Sequence, residues 1–197
     1  MDNLCFPEGG WALILVNAQH PLPGDFEPDT ALLSLGKPCD RRIAPVVERL
    51  FCDAQIGGVE LLLRSGYRSI PYQKDLYEDK IRRVIEEEGA DPERAPDLAA
   101  MVVARPGTSE HHTGLAVDLQ TTGAVTLEEN FADTPAYKWL DEHAEEYGFI
   151  ERYPKEKSDI TGVLWEPWHY RYVGVSNAKA IKTMGICLEE YVELVYN

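Results

Sequence analysis

Long apolar runs are missing from this chain of 197 residues: none approaches the ~18 uninterrupted apolar residues that a membrane-spanning helix requires, so no span is expected. A basic stretch ahead of an apolar one, the opening of a secretory signal, is missing as well. The first apolar run, residues 11–16, follows Asp2, Glu8, Gly9 and Gly10. The expected address is therefore cytoplasmic. Positive charge is scarce, with 19 Lys and Arg against 34 Asp and Glu, for a net charge of −15. Such a surface repels phosphate backbones and anionic lipids, which argues against nucleic acid or a membrane as partner. Cysteine is sparse and scattered (Cys5, Cys39, Cys52, Cys187) with no C-x-x-C pair, which excludes a zinc ribbon or a disulfide scaffold and leaves reduced thiols. There is no P-loop, dinucleotide fingerprint or G-x-S-x-G elbow. With no repeat and no linker, residues 1–197 are expected to form a single domain.

What is present is a globular balance, 44% hydrophobic and 27% charged. Residues 12–16 (A-L-I-L-V) predict a buried strand, and residues 43–56 a helix with Pro45 in its first turn, closed by Gly57-Gly58. Residues 59–63 predict a second strand. Residues 72–88 carry an apolar stripe (Leu76, Ile81, Val84, Ile85) opposite the i,i+4 pairs Glu78/Arg82 and Asp79/Arg83. Further helices are expected at residues 97–104, 135–147 (capped by Thr134), 177–184 and 188–196, and strands at 114–119 and 168–173. Strands and helices mix without a βαβ rhythm, so the expected class is α+β, a small mainly antiparallel sheet flanked by helices.

Three segments concentrate reactive side chains. In Ser109-Glu110-His111-His112-Thr113-Gly114-Leu115-Ala116-Val117-Asp118, a turn before Gly114 can bring His111 to the face of Asp118. In Glu166-Pro167-Trp168-His169-Tyr170-Arg171-Tyr172, strand alternation puts His169 and Arg171 on one face, the aromatics on the other, and Pro167 keeps Glu166 extended toward the same cavity. Two histidines and a carboxylate with an open fourth position form a catalytic zinc set. Glu166 fits as general base on water, or else orients His169 from behind. Arg171 is placed to pair with Glu166 or Asp118. In Ser65-Gly66-Tyr67-Arg68-Ser69, Gly66 permits a tight bend and Arg68 offers a planar fork to a carboxylate or oxyanion, or pairs with an acid on the following helix. His112 is expected at the pocket rim or surface, while His20 and His143 look bland.

The strings S-G-Y-R-S, S-E-H-H-T-G-L-A-V-D and E-P-W-H-Y-R-Y-V-G resemble the signatures of the VanY-type zinc D-alanyl-D-alanine carboxypeptidases, whose fold is related to that of VanX and of the hedgehog signalling domain. The resemblance extends to L-V-N-A-Q-H-P-L and E-Y-G-F-I-E-R-Y, and is strongest to the soluble VanXY subgroup with dipeptidase and carboxypeptidase activities. It departs at His112, where the family commonly has glutamine. The resemblance implies zinc held by His111, Asp118 and His169, Glu166 as catalytic base, and Arg68 at the substrate carboxylate or oxyanion. It further implies Ser109 and Gln73 in the substrate pocket, and a D-Ala-D-Ala dipeptide or muramyl pentapeptide precursor as substrate, in glycopeptide resistance. The alternatives are an L,D-carboxypeptidase or endopeptidase of wall peptides, and a non-catalytic zinc-stabilised binding module. Residues 121–133 are expected to cap the pocket.

Overall fold

The computed structural model describes residues 10–122 and 127–196. The sheet at its centre has four strands in the order β3-β4-β6-β5: β3 (Leu62–Ser65), β4 (Ala116–Gln120), β5 (Phe149–Glu151) and β6 (His169–Tyr172). Every pairing is antiparallel, as the missing βαβ rhythm implied. A two-stranded hairpin, β1 (Thr30–Leu32) and β2 (Pro38–Asp40), stands apart from it. Helices α1 (Ala44–Ile56), α2 (Ile70–Glu86), α3 (Ala95–Ala100), α4 (Pro135–His143), α5 (Ser158–Thr161), α6 (Val175–Met184) and α7 (Leu188–Tyr196) surround the strands.

Local chemistry explains most boundaries. Ser69 and Thr134 accept the backbone N–H of Tyr72 and Tyr137 as N-caps of α2 and α4. Gly185 ends α6 in the left-handed region. The helix expected over residues 135–147 is α4 continued by a 3₁₀ turn, Ala144–Tyr147. On α2 the pair Asp79/Arg83 forms as expected, whereas Arg82 pairs with Asp79 and Glu86 and Glu78 goes to Lys74. β4 is buried at all five positions, so its run carries no polar alternation to expose.

The strand expected at residues 12–16 does not form. Gly10–Leu13 is a 3₁₀ turn leading into irregular chain, although Ala12, Leu13, Ile14 and Val16 are all buried as a core strand would be. The reason lies in its carbonyls. Those of Ala12 and Ile14 accept from the Arg171 guanidinium at 2.9 and 2.7 Å, so a side chain supplies what a neighbouring strand would have. The strand expected at 59–63 begins later, at Leu62, and β5 was not anticipated; three residues carry too short a pattern to declare one. Cys39 and Cys187 are buried and Cys52 exposed, all free, while Cys5 lies outside the described residues. No helix of the described residues is long and apolar enough to cross a membrane.

Candidate metal centre

The site sits where β3, β4 and β6 run side by side. Asp118 on β4 is in register with His169 on β6 and with Ser65 on β3. An irregularity in β3 between Leu63 and Ser65 leaves Arg64 as an extra residue; such bulges re-aim the side chains that follow. Two glycines let the loops close in. A Cβ on Gly66 would run into the Pro38 carbonyl, and Gly114, at φ +70°, has the Asp40 amide only 2.6 Å from where a Cβ would stand. The β1–β2 hairpin thus braces both loops, accepting from Tyr67 through Pro38 and donating from Asp40 to Gly114.

His111 lies in the 3₁₀ turn Glu110–Thr113, and its Nδ1 donates to the Gly66 carbonyl at 2.7 Å. That bond leaves Nε2 with its lone pair toward Asp118 Oδ2, 3.2 Å away. His169 presents Nδ1 to Asp118 Oδ1 at 3.1 Å, and the two imidazoles meet edge to face. One donor atom from each of His111, Asp118 and His169 lies within 4.8 Å of the others, and all three residues are buried. Neighbouring ligands of a tetrahedral zinc with ~2.0–2.1 Å bonds stand about 3.3 Å apart. The separations of 3.1 and 3.2 Å, one to each oxygen of Asp118, are close to that spacing, and the three residues together fall within 4.8 Å.

Behind His169, its Nε2 faces Glu110 Oε2 at 3.6 Å, and neither atom has another partner among the described residues. Glu110, rather than Glu166, thus stands behind His169, at the ring nitrogen turned away from Asp118. Glu110 Oε1 accepts from Arg152 Nε at 2.8 Å and Arg171 Nη1 at 2.6 Å, and Glu189 of α7 holds the far side of Arg152. Arg171 pairs with this acid rather than with Glu166 or Asp118, because its long side chain carries the guanidinium past the ligand face into the core. Sequence reasoning passed over Glu110 and Arg152. The available signal was an acid inside the first motif and an arginine beside the apolar Phe149-Ile150.

Glu166 stands on the open side, its Oε2 3.6 Å from His169 Nδ1. Burial pushes its carboxyl up to about 8, toward the range useful to a base at neutral pH. Burial, then the Arg68 cation, lowers His111 to about 4, so its imidazole is neutral. Burial would lower His169 too, but the carboxylates of Asp118 and Glu110 raise it to about 9. A cation among these groups would draw Glu166 and His169 back down.

Arg68 pairs with Asp118 and donates to Ser65 Oγ at 2.7 Å and to Gln73 Oε1 at 3.4 Å, rather than pairing with an acid on α2. Gln73 is buried and anchored to the Ala104 carbonyl, and both it and Ser109 line the cleft, of about 450 Å³, that holds the three candidate ligands. His112 is not at the surface: it is buried, with Nδ1 on the Arg68 carbonyl and Nε2 accepting from Gly107, so it ties two loops together. His20 and His143 lie on the exterior, away from the cleft. Of the segment expected to cap the pocket, Leu127 lines the cleft, while residues 123–126 lie outside the described residues.

Comparison with known proteins gives one family and several near relatives. A family model described as VanY, D-alanyl-D-alanine carboxypeptidase, matches residues 37–175. The chain is 42% identical over 185 residues to a D-alanyl-D-alanine carboxypeptidase of Enterococcus faecalis (strain ATCC 700802 / V583), covering 94% of this chain and 67% of that protein. It is 34% identical over 191 residues to the bifunctional D-Ala-D-Ala dipeptidase and D-Ala-D-Ala carboxypeptidase VanXYC of Enterococcus gallinarum, covering 91% and 92%. Among solved structures, a mutant of the vancomycin resistance D,D-pentapeptidase VanY from a VanB-type resistance cassette, in complex with Zn(II), superposes with a TM-score of 0.83 at 42% identity, covering 92% of this chain and 99% of that one. The LdcB LD-carboxypeptidase follows at 0.81 and 36%, covering 98% and 91%.

Proposed function

The chain belongs to the VanY D-alanyl-D-alanine carboxypeptidase family, and from that premise we propose that it is a zinc metallopeptidase releasing D-alanine from D-Ala-D-Ala termini. The observation that carries this reading is the buried His111, Asp118, His169 set at zinc-ligand separations, with Glu166 on its open side. These three residues hold the ion, and when bound it supplies Lewis acidity, activating water and polarising the scissile carbonyl.

The chain's own residues do the rest. Glu166, raised by burial, takes the proton from the attacking water and returns it to the leaving D-alanine nitrogen. Arg68 is held in place by Ser65 and Gln73, and presents charge to the substrate carboxylate or the developing oxyanion. Ser109 and Gln73 line the pocket beside it. Glu110 fixes the ring of His169 from behind. The small peptide substrate is a D-Ala-D-Ala dipeptide, a muramyl pentapeptide precursor, or both, and its removal serves glycopeptide resistance or precursor remodelling. The cytoplasmic address and the single-domain organisation expected from the sequence belong to the same proposal, and cell fractionation and limited proteolysis test them.

The deciding experiment is D-alanine release from the dipeptide and the pentapeptide precursor by zinc-loaded protein, with a chelated control. Metal-dependent release from both establishes the dual activity; release from neither overturns the reading. The likeness to an LD-carboxypeptidase supports a second reading, cleavage of an L,D bond, which a tetrapeptide ending L-residue–D-alanine tests in the same assay.

A further inference from the structure

The protein is strongly acidic, yet its cleft is not. Among the described residues only two carboxylates line it, Asp118 and Glu166, and both stand at the reacting centre. The other charged side chains on its wall are Arg64, Arg68, Lys80 and Arg83, all cations in a chain where acids outnumber bases 34 to 19.

Two of these form a ladder on α2. Gln73, Leu76, Lys80 and Arg83 recur at steps of three and four, which places them along one helix face. With a rise of 1.5 Å per residue, Lys80 stands about 10 Å and Arg83 about 15 Å beyond Gln73. Their counter-ions, Glu88 for Lys80 and Asp79 for Arg83, each at 2.9 Å, do not line the cleft; they hold the cations from outside it. The wall contributed by Ala100, Val102 and Val103 carries no charge, so a peptide backbone can lie there without meeting a competing acid. Low-dielectric walls focus the field of cations along such a groove.

We infer that the Lys80–Arg83 edge of the cleft is a subsite for a carboxylate carried by the substrate peptide upstream of its scissile bond. The inference rests on the peptidase reading and extends it to the substrate's far end. An extended peptide spans ~3.4 Å per residue, so a residue three positions before the terminal D-alanine lies about 10 Å away, level with Lys80. The dipeptide D-Ala-D-Ala is too short to reach the ladder. The subsite therefore separates long from short substrates, and acidic from amidated ones.

The test uses two synthetic peptides ending in D-Ala-D-Ala that differ only in a free carboxylate or a carboxamide three residues before the terminus. Affinity is read calorimetrically with the zinc-loaded Glu166→Gln protein, so that turnover does not consume the ligand. The acid binds about five-fold more tightly than the amide, as a partly exposed ion pair allows. The Lys80→Ala/Arg83→Ala variant brings the ratio to about one, Lys80→Glu/Arg83→Glu inverts it, and added salt compresses it. In the otherwise wild-type protein, Lys80→Ala/Arg83→Ala leaves D-alanine release from the dipeptide unchanged. Equal affinity for acid and amide, or a preference that survives both double variants, overturns the subsite. Absence of any D-alanine release by wild-type protein overturns the peptidase reading instead, while the affinity ratio still decides the subsite.

Discussion

Removing the charge of Glu110 is the most demanding test of how this site is built. Its side chain is fully buried, and so are those of Arg152 and Arg171, whose guanidiniums it joins at 2.8 and 2.6 Å. After Glu110→Ala, Arg152 keeps Glu189 and Arg171 keeps the carbonyls of Ala12, Ile14 and Tyr172, but two buried cations face each other without an anion between them. Breaking a buried pair by removing one partner costs ~3–5 kcal/mol. Glu110→Gln retains the shape and one acceptor oxygen, so about 3 kcal/mol is the expected loss for that variant. In a chain of this length about 3 kcal/mol lowers Tm by roughly 6–12 °C. The two arginines hold the Glu110 carboxyl below its ordinary range against the opposing effect of burial. Its contribution is therefore present above the unfolded value of about 4.3 and is lost as pH falls through the folded value. Urea unfolding of wild type and Glu110→Gln at pH 7, repeated through the acid range to about pH 2.5, measures the difference and its narrowing below the unfolded value. The negative charge that faces His169 Nε2 at 3.6 Å is also removed, so zinc affinity in chelator competition drops by about 10–100-fold. A Glu110→Gln protein within about 1 kcal/mol of wild type at pH 7, with unchanged zinc affinity, refutes this account of the buried cluster.

Four other outcomes are expected. Glu166→Gln lowers D-alanine release by at least ~10²-fold while zinc binding persists, and retained turnover in that variant removes Glu166 as the base. Gly66→Ala, whose added methyl meets the Pro38 carbonyl, costs about 1–3 kcal/mol or more in chemical denaturation; a neutral result means the hairpin yields without penalty. Thr134→Ala loses the α4 cap and about 1 kcal/mol, but leaves peptide turnover alone, since α4 contributes nothing to the cleft lining. Free zinc at about 1,000 times its Kd stabilises the folded protein by ~4 kcal/mol in thermal melts, and a chelator abolishes both that shift and turnover. A melt indifferent to zinc contradicts the ligand assignment.

Much of this was legible in the chain itself. The helices over residues 43–56 and 72–88 follow from apolar spacing and end signals, which act locally, and the structure shifts their ends by one or two residues. The alternation that put His169 opposite the aromatics is a property of any strand, so β6 arrived where the pattern placed it. Motif spacing likewise pointed to His111, Asp118, His169, Glu166 and Arg68, the family resemblance added Ser109 and Gln73, and all seven line one cleft. The failures share a different origin. Residues 12–16 have a strand's composition, but composition does not say whether a partner strand or an arginine will satisfy the carbonyls. His112 has a surface residue's polarity, but two loops close over it and take both ring nitrogens. Local chemistry therefore determined the main helices, the strands that carry Asp118 and His169, the antiparallel class and the identity of most reactive side chains. Packing alone decided that Glu110 would stand behind His169 between two buried arginines, and that the cations of α2 would line the cleft while their acids stayed outside. The first of these arrangements joins residues 40 or more positions apart, and a desolvated charge is settled by whichever partner the completed fold brings within reach.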